Sequence, residues 1–220
     1  GKYAGCNGTS SSASAVLIGY GAGRESNAWG AISIGYEAGK KNTAGDNIAL
    51  GTNAGKEHTS GQRNVFIGRE AGQYATTGGY NVLFGNCAGR GINSSTPNTA
   101  SYNVAVGDCA GRDITSGYEN VILGRGAAYF VGVGYRNVTM GKQTGYSNSG
   151  CDNIIFGTCA SYGNSSNAGS CNIIMGYEAA RSSNNAGEQN IFLGTRSGRY
   201  NTTGGTNIFA GKYAGEKNTT

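Results

Sequence analysis

Few side chains in this 220-residue protein can do chemistry: one histidine, six cysteines and twelve acidic residues. General acid–base or triad catalysis needs groups of matched pKa that converge on one place. The single histidine, His58, sits in the polar turn Lys-Glu-His-Thr-Ser-Gly (56–61) and reads as a solvated turn residue. Glu37, Glu70 and Glu178 occupy equivalent places two residues after a recurring glycine, in units too far apart to form a carboxylate pair. The calcium-binding Gly-Gly-x-Gly-x-Asp nonapeptide is absent. The glycine-rich stretch at 19–25 is one more copy of a repeat rather than a phosphate loop. No catalytic set, metal site or cofactor is therefore expected, and the chain reads as non-enzymatic.

The cysteines form no Cys-x-x-Cys pair, so zinc and thioredoxin-type readings are weak. Cys87 and Cys109 both lie two residues after the glycine of neighbouring units. Stacking those units brings their Cα atoms near the ~5.5 Å of a disulfide, and a bond is expected there. Cys151 and Cys171 form a second candidate pair, while Cys6 and Cys159 have no partner in this segment. Disulfides would imply an oxidising, extracellular setting.

What positions these residues is a repeat. The phrase Asn-(Val/Ile)-x-apolar-Gly closes on Gly19, Gly35, Gly51, Gly68, Gly85, Gly107, Gly124, Gly141, Gly157, Gly176, Gly194 and Gly211, at steps of 16 to 22 residues and mostly 17. Longer steps insert residues at one place in the unit, as in the loops 90–102 and 161–171, which marks surface loops on a stack of coils. Val or Ile stands three before every such glycine, and an apolar residue one before it in all but the last unit, which has Ala210. Two positions apart, they share one face of a short strand. A 17-residue unit is too short for two helices and a turn. The expected fold is all-β: a solenoid or β-roll of about twelve stacked coils, one tandem-repeat domain over residues 1–220. Gly1-Lys2-Tyr3-Ala4-Gly5 returns at 211–215, so the array is expected to continue past both ends.

If that Val/Ile face fills the coil interior, the residue between points outward. That middle column includes Leu17, Phe66, Leu83, Ile122, Ile155, Ile174, Phe192 and Phe209. So long an apolar stripe needs a cover. The expected cover is other copies of the chain, a trimer or filament neighbours, with a second strand of the same chain as the alternative. Alanine three after the glycine implies a thin interior. An asparagine column (Asn47, Asn64, Asn81, Asn103, Asn120, Asn137, Asn153, Asn172, Asn190, Asn207) is expected to form a structural hydrogen-bonded ladder. Asn-x-Ser/Thr sequons at Asn7, Asn93, Asn137, Asn164, Asn201 and Asn218 permit glycosylation without arguing for it.

The net charge of +5 is spread along the chain with no basic stripe, so nucleic acid is not an expected partner. No apolar run approaches the ~20 residues of a membrane span, and no targeting signal is visible. "NVFIGREAG", "NIALGTNAG" and "NIFAGKYAG", joined by "TTGGYN" turns, resemble the head repeats of trimeric autotransporter adhesins. They are closer still to the repeats of phage tail-fibre-like proteins. The likeness covers nearly the whole chain. It implies a left-handed parallel β-roll, three chains to a bundle, and a place on an extracellular, cell or virion surface. The cysteines and the longer unit depart from that pattern. The expected role is a structural segment of an extracellular fibre, such as an adhesin or tail-fibre-like shaft. Recognition of cell-surface glycans by the two loops and by Tyr80, Tyr102, Tyr118 and Tyr135 is the alternative. Ice binding by a hydroxyl row (Thr43, Ser60, Thr77, Ser116, Ser149, Thr203) ranks below both.

Overall fold

The computed structural model describes residues 1–7, 14–93, 98–130, 132, 134–147, 149–163, 169–181 and 186–219. Twelve three-residue strands run from β1 (Val16–Ile18), β2 (Ile32–Ile34), β3 (Ile48–Leu50) and β4 (Val65–Ile67) through β5 (Val82–Phe84), β6 (Val104–Val106), β7 (Val121–Leu123) and β8 (Val138–Met140) to β9 (Ile154–Phe156), β10 (Ile173–Met175), β11 (Ile191–Leu193) and β12 (Ile208–Ala210). They form one parallel sheet in chain order, each strand in register with the next: Val65 opposite Val82, Phe66 opposite Leu83, Ile67 opposite Phe84. No helix occurs among the described residues. The chain is a β-solenoid with one strand per coil, as the repeat predicts.

The glycine that ends each strand sets the coil. Its φ lies between 124° and 144° in all twelve units, a region closed to other residues. Space closes the position too, because a Cβ on Gly68 would stand 2.4 Å from the carbonyl oxygen of Gly85. Three overlapping turns follow. In the third coil Ala54 N–H donates to Gly51 O, Lys56 N–H to Asn53 O and His58 N–H to Gly55 O, at 3.2–3.3 Å. Between them, alternate residues reach the coils above and below: Asn53 N–H donates to Tyr36 O and Gly55 N–H to Ala71 O. Most backbone donors of this coil are thereby satisfied without a wide sheet.

The interior corrects one expectation. The middle residue of each strand points into the coil: Phe66 and Phe192 are fully buried, Ile122, Ile155 and Ile174 are 1 % exposed, and Leu83 is 4 % exposed. Leu17 and Phe209, in the end coils, are half-buried. These eight residues are the core, not an oligomer interface. Both strand faces are apolar, so a period of two does not tell inside from outside. The opposite wall decides. It is built of alanines with no exposure (Ala54, Ala71, Ala88, Ala110) followed by glycines. A Cβ on Gly72 would come within 2.5 Å of the Phe66 ring, and one on Gly89 within 2.5 Å of Leu83. The lumen holds one main row of side chains whose size varies from coil to coil: small members sit beside large ones at Ala49–Phe66 and at Ala105 between Leu83 and Ile122, while Ile155, Ile174, Phe192 and Phe209 form a run of large ones.

Candidate assembly face and its flanking columns

Because the middle column is inside, the two columns beside it are outside. None of their members is buried, and Val16, Ile18, Ile34, Val82, Phe84, Met140, Ile154, Met175, Leu193 and Ile208 are all exposed. No strand residue carries a charge. Two apolar columns ~7 Å apart over twelve coils ~4.8 Å apart make a ribbon ~53 Å long. Aromatic side chains are exposed in the first coils as well. Tyr20 stacks on Tyr36 at 5.3 Å, with Tyr3 edge-on to Tyr20, and Trp29 is 57 % exposed.

The asparagine column behaves as expected. From Asn47 to Asn172, each Oδ1 accepts the backbone N–H of the next asparagine, and as far as Asn153 its Nδ2–H as well, as in Asn120 on Asn103 at 3.0 and 2.9 Å. The amide also donates to a turn carbonyl of the following coil, as from Asn120 to Gly134 O at 2.9 Å. The ladder holds across the 22-residue unit, where Asn103 donates to Asn81 at 3.0 and 3.2 Å. Asn190 receives Asn207 N–H, while Asn207 Nδ2 is buried without a partner.

His58 is not solvated. It is 1 % exposed, with Nδ1 2.5 Å from Ala75 O and Nε2 2.7 Å from Gly61 O, and its ring edge meets Phe66. Burial lowers its pKa, outweighing the two carbonyls that favour the charged form. Its turn folds inward because the following coil offers a carbonyl there. In the preceding coil Asn42 holds the equivalent place and accepts hydrogen bonds from Ala44 N–H and Asn47 Nδ2–H.

All six cysteines are free thiols, which corrects both expected pairings. Cys87 and Cys109 do occupy the same column one coil apart. Parallel in-register residues keep their Cα–Cβ bonds parallel, so Cβ atoms stay about 4.8 Å apart where a disulfide wants about 3.8 Å. The thiols point to oxygen instead: Cys87 Sγ lies 3.6 Å from Glu70 Oε2 and Cys109 Sγ 3.8 Å from Asp108 Oδ1. Burial and these carboxylates raise both thiol pKa values, that of Cys109 to about 11. Cys151 and Cys171 are out of register by one: Cys151 Sγ stacks against Ser170 Oγ at 3.3 Å.

The carboxylates two after the glycine pair with bases instead of each other. Glu37 meets Lys40 at 3.3 Å and Lys56 at 2.7 Å, Glu70 meets Arg90 at 3.5 Å, and Glu178 meets Arg181, Arg196 and Arg199 at 2.6, 2.9 and 3.4 Å. Burial pushes the carboxyls of Glu37 and Glu178 up, but hydrogen bonds from these bases win and hold both below the usual range.

The tyrosines named for glycans form stacked pairs. Tyr80 and Tyr102 lie 4.8 Å apart at 6°, Tyr118 and Tyr135 4.8 Å apart at 1°. Each ring covers one face of its partner, so these are packing ladders between coils. Residues 94–97 and 164–168 of the two loops, including the sequon at Asn164, lie outside the described residues. Asn7 and Asn93 are exposed and Asn218 is half-buried. Asn137 and Asn201 are buried, Asn201 donating to Gly204 O at 2.9 Å, so neither can carry a glycan in the folded coil. Thr43, Ser60, Thr77, Ser116 and Thr203 are exposed and Ser149 half-buried, and the Thr43 hydroxyl is donated to Thr59 O at 2.7 Å. Among the described residues no helix is long and apolar enough to cross a membrane, and no three His, Cys, Asp or Glu side chains cluster to hold a metal. Comparison of the chain with protein-family models, characterised proteins and solved structures returns no match.

Proposed function

We propose that this chain is a non-enzymatic structural segment of an extracellular fibre or filament, an adhesin or tail-fibre-like shaft whose sheet faces pack against other copies of the chain. The observation that carries the reading is the uncharged apolar ribbon on the outer face of all twelve strands. At ~12 Å wide including side chains, it offers about 600 Å² per chain. Two such faces bury about 1,200 Å², the lower bound for a stable association. A second copy is the natural occupant because it presents the same coil spacing, so the rows can interdigitate along their whole length.

The resemblance to adhesin and tail-fibre repeats supports three chains about an axis and an extracellular or virion-surface location. A structural role also agrees with His58 buried between carbonyls and with the acidic residues held in ion pairs. The test is the mass of the native assembly, with electron micrographs of the same sample, for the chain and for Ile34→Asp with Phe84→Asp. Trimers or filaments that dissociate in the double variant are expected. A monomeric parent chain sinks the proposal.

A further inference from the structure

The two columns that carry the ion pairs, two and five residues after the glycine, change character in the middle of the rod. Toward either end their ion pairs are Glu37 with Lys40 and Lys56, Glu70 with Arg90, and Glu178 with Arg181 and Arg199, although the first coil carries Gly21 with Arg24 and the coil of β9 Cys159 with Tyr162. In the coils of β7 and β8 they read Gly126 with Tyr129 and Gln143 with Tyr146. Gly126 leaves a gap in its column between Cys109 and Gln143. Around that gap lies a surface notch of about 340 Å³, lined by Asp108, Cys109, Arg125, Gly126, Tyr129, Gln143 and Tyr146.

Sterics do not demand this glycine. Its φ is 62°, but the same place is held by Glu37, Glu70 and Glu178 at 49°, 58° and 53°. A Cβ on Gly126 would meet only Gln143 Cγ, at an ordinary 3.6 Å. The gap therefore makes the notch and is not required by the fold. We propose that the notch is a binding site for one sugar ring, free or at the end of a glycan.

The volume sits near the lower limit of about 300 Å³ for small-molecule sites, which suits a single ring and not a chain of them. Its groups match a polyol, each of whose hydroxyls both donates and accepts. The Arg125 guanidinium is exposed and makes no ion pair among the described residues. Asp108 supplies a carboxylate, oriented by Asn86 Nδ2 at 2.8 Å. Gln143 supplies an amide on the opposite wall. The phenols are fixed: Tyr129 and Tyr146 stack at 5.2 Å, Phe130 packs edge-on to both, and the Arg112 guanidinium covers the Tyr129 ring and donates to its hydroxyl. Their faces are occupied, so they offer hydroxyls and ring edges rather than a stacking platform. Neither a dense cation cluster for phosphates nor an apolar floor for a lipid is present. The site is distinct from the stacked pairs Tyr80–Tyr102 and Tyr118–Tyr135, and it does not depend on the fibre assignment.

The test titrates the native chain with a panel of neutral hexoses, hexosamines and uronic acids, read by saturation-transfer NMR. A second readout is the rate of Cys109 alkylation. At least one sugar should bind and slow that alkylation. Gly126→Glu fills the column as neighbouring coils do, so it should keep the melting temperature while weakening binding at least about tenfold. Asp108→Asn should weaken binding with the coil intact, which keeps the test valid if the first variant misfolds. Silence across the panel, or equal binding by parent chain and folded variants, overturns the proposal.

Discussion

The side-chain oxygen of Asn103 accepts two hydrogen bonds from Asn120, one from its backbone N–H at 3.0 Å and one from its amide at 2.9 Å. That motif recurs through most of the rod and seals the point where each strand begins. Replacing Asn120 with alanine strands Gly134 O, Asn137 N–H and part of Asn103 Oδ1 inside the protein. At ~1–3 kcal/mol for each unsatisfied buried group, a loss of about 3–5 kcal/mol is expected in urea unfolding. Asn207→Ala should cost clearly less, because its Nδ2 has no partner to lose.

Adjacent residues in one strand should respond in opposite ways. Phe192 is wholly buried, whereas Leu193 is 37 % exposed on the outer ribbon. Phe192→Ala is expected to cost about 3–5 kcal/mol of stability. Leu193→Asp should leave the melting temperature of a dissociated chain nearly unchanged and lower the mass of the assembly. Calorimetry and light scattering on both variants separate the two effects.

Gly68→Ala should be among the most damaging single changes. It combines a φ of 128° with a Cβ placed 2.4 Å from Gly85 O. Gly211→Ala has the same backbone strain, at 124°, but meets nothing within 4 Å. The difference between their denaturation midpoints combines the clash with the smaller cost of straining a terminal coil, and Gly68→Ala is expected to unfold at much lower denaturant.

The ion-paired Glu178 should make the rod acid-sensitive. Its folded pKa lies below the ordinary 4.5, so the unfolded chain binds more protons in that window. Stability from this group is therefore complete above about pH 4.5 and is lost as pH falls through the folded value. Glu178→Gln should be less stable than the parent chain at pH 7, with the gap narrowing toward pH 3 in parallel thermal melts.

Thiol titration of the unfolded chain without reductant should count six. In the folded chain Cys6 and Cys171, both exposed, should alkylate first. Cys109 should lag at neutral pH and accelerate as the solution approaches its raised pKa of about 11. A cross-linked Cys87–Cys109 peptide in a non-reducing digest would contradict the free-thiol geometry.

The coil count, strand positions and asparagine ladder were legible because each rests on a period: glycine closing every unit, Val or Ile three before it, Asn one earlier. The strand's facing was not, because Phe66 and its neighbours Val65 and Ile67 are all apolar. A usable signal lay elsewhere, in the glycines four after the closing glycine, such as Gly72 and Gly89, which make room for Phe66 and Leu83. Spacing alone put Cys87 beside Cys109, but it carries no information on whether two Cβ atoms converge. His58 looked solvated because its turn is polar. The inward tilt that buries it is set by Ala75 O in the next coil, a contact 17 residues away. The sugar notch arises from what Gly126 lacks among its stacked neighbours, which becomes visible only once the columns are aligned in space.

Asn81 and Asn103 meet at the same distance as their neighbours although five extra residues lie in their unit. The rungs are thus indifferent to how much contour length runs between them. Length and outline become separate inheritances. The number of units fixes how far the rod reaches, while the sequence inserted between Arg90 and Asn98 can grow, shrink or be exchanged without breaking the rung from Asn81 to Asn103. A guest segment grafted there would be carried at a defined height along the axis, as a flag on a mast.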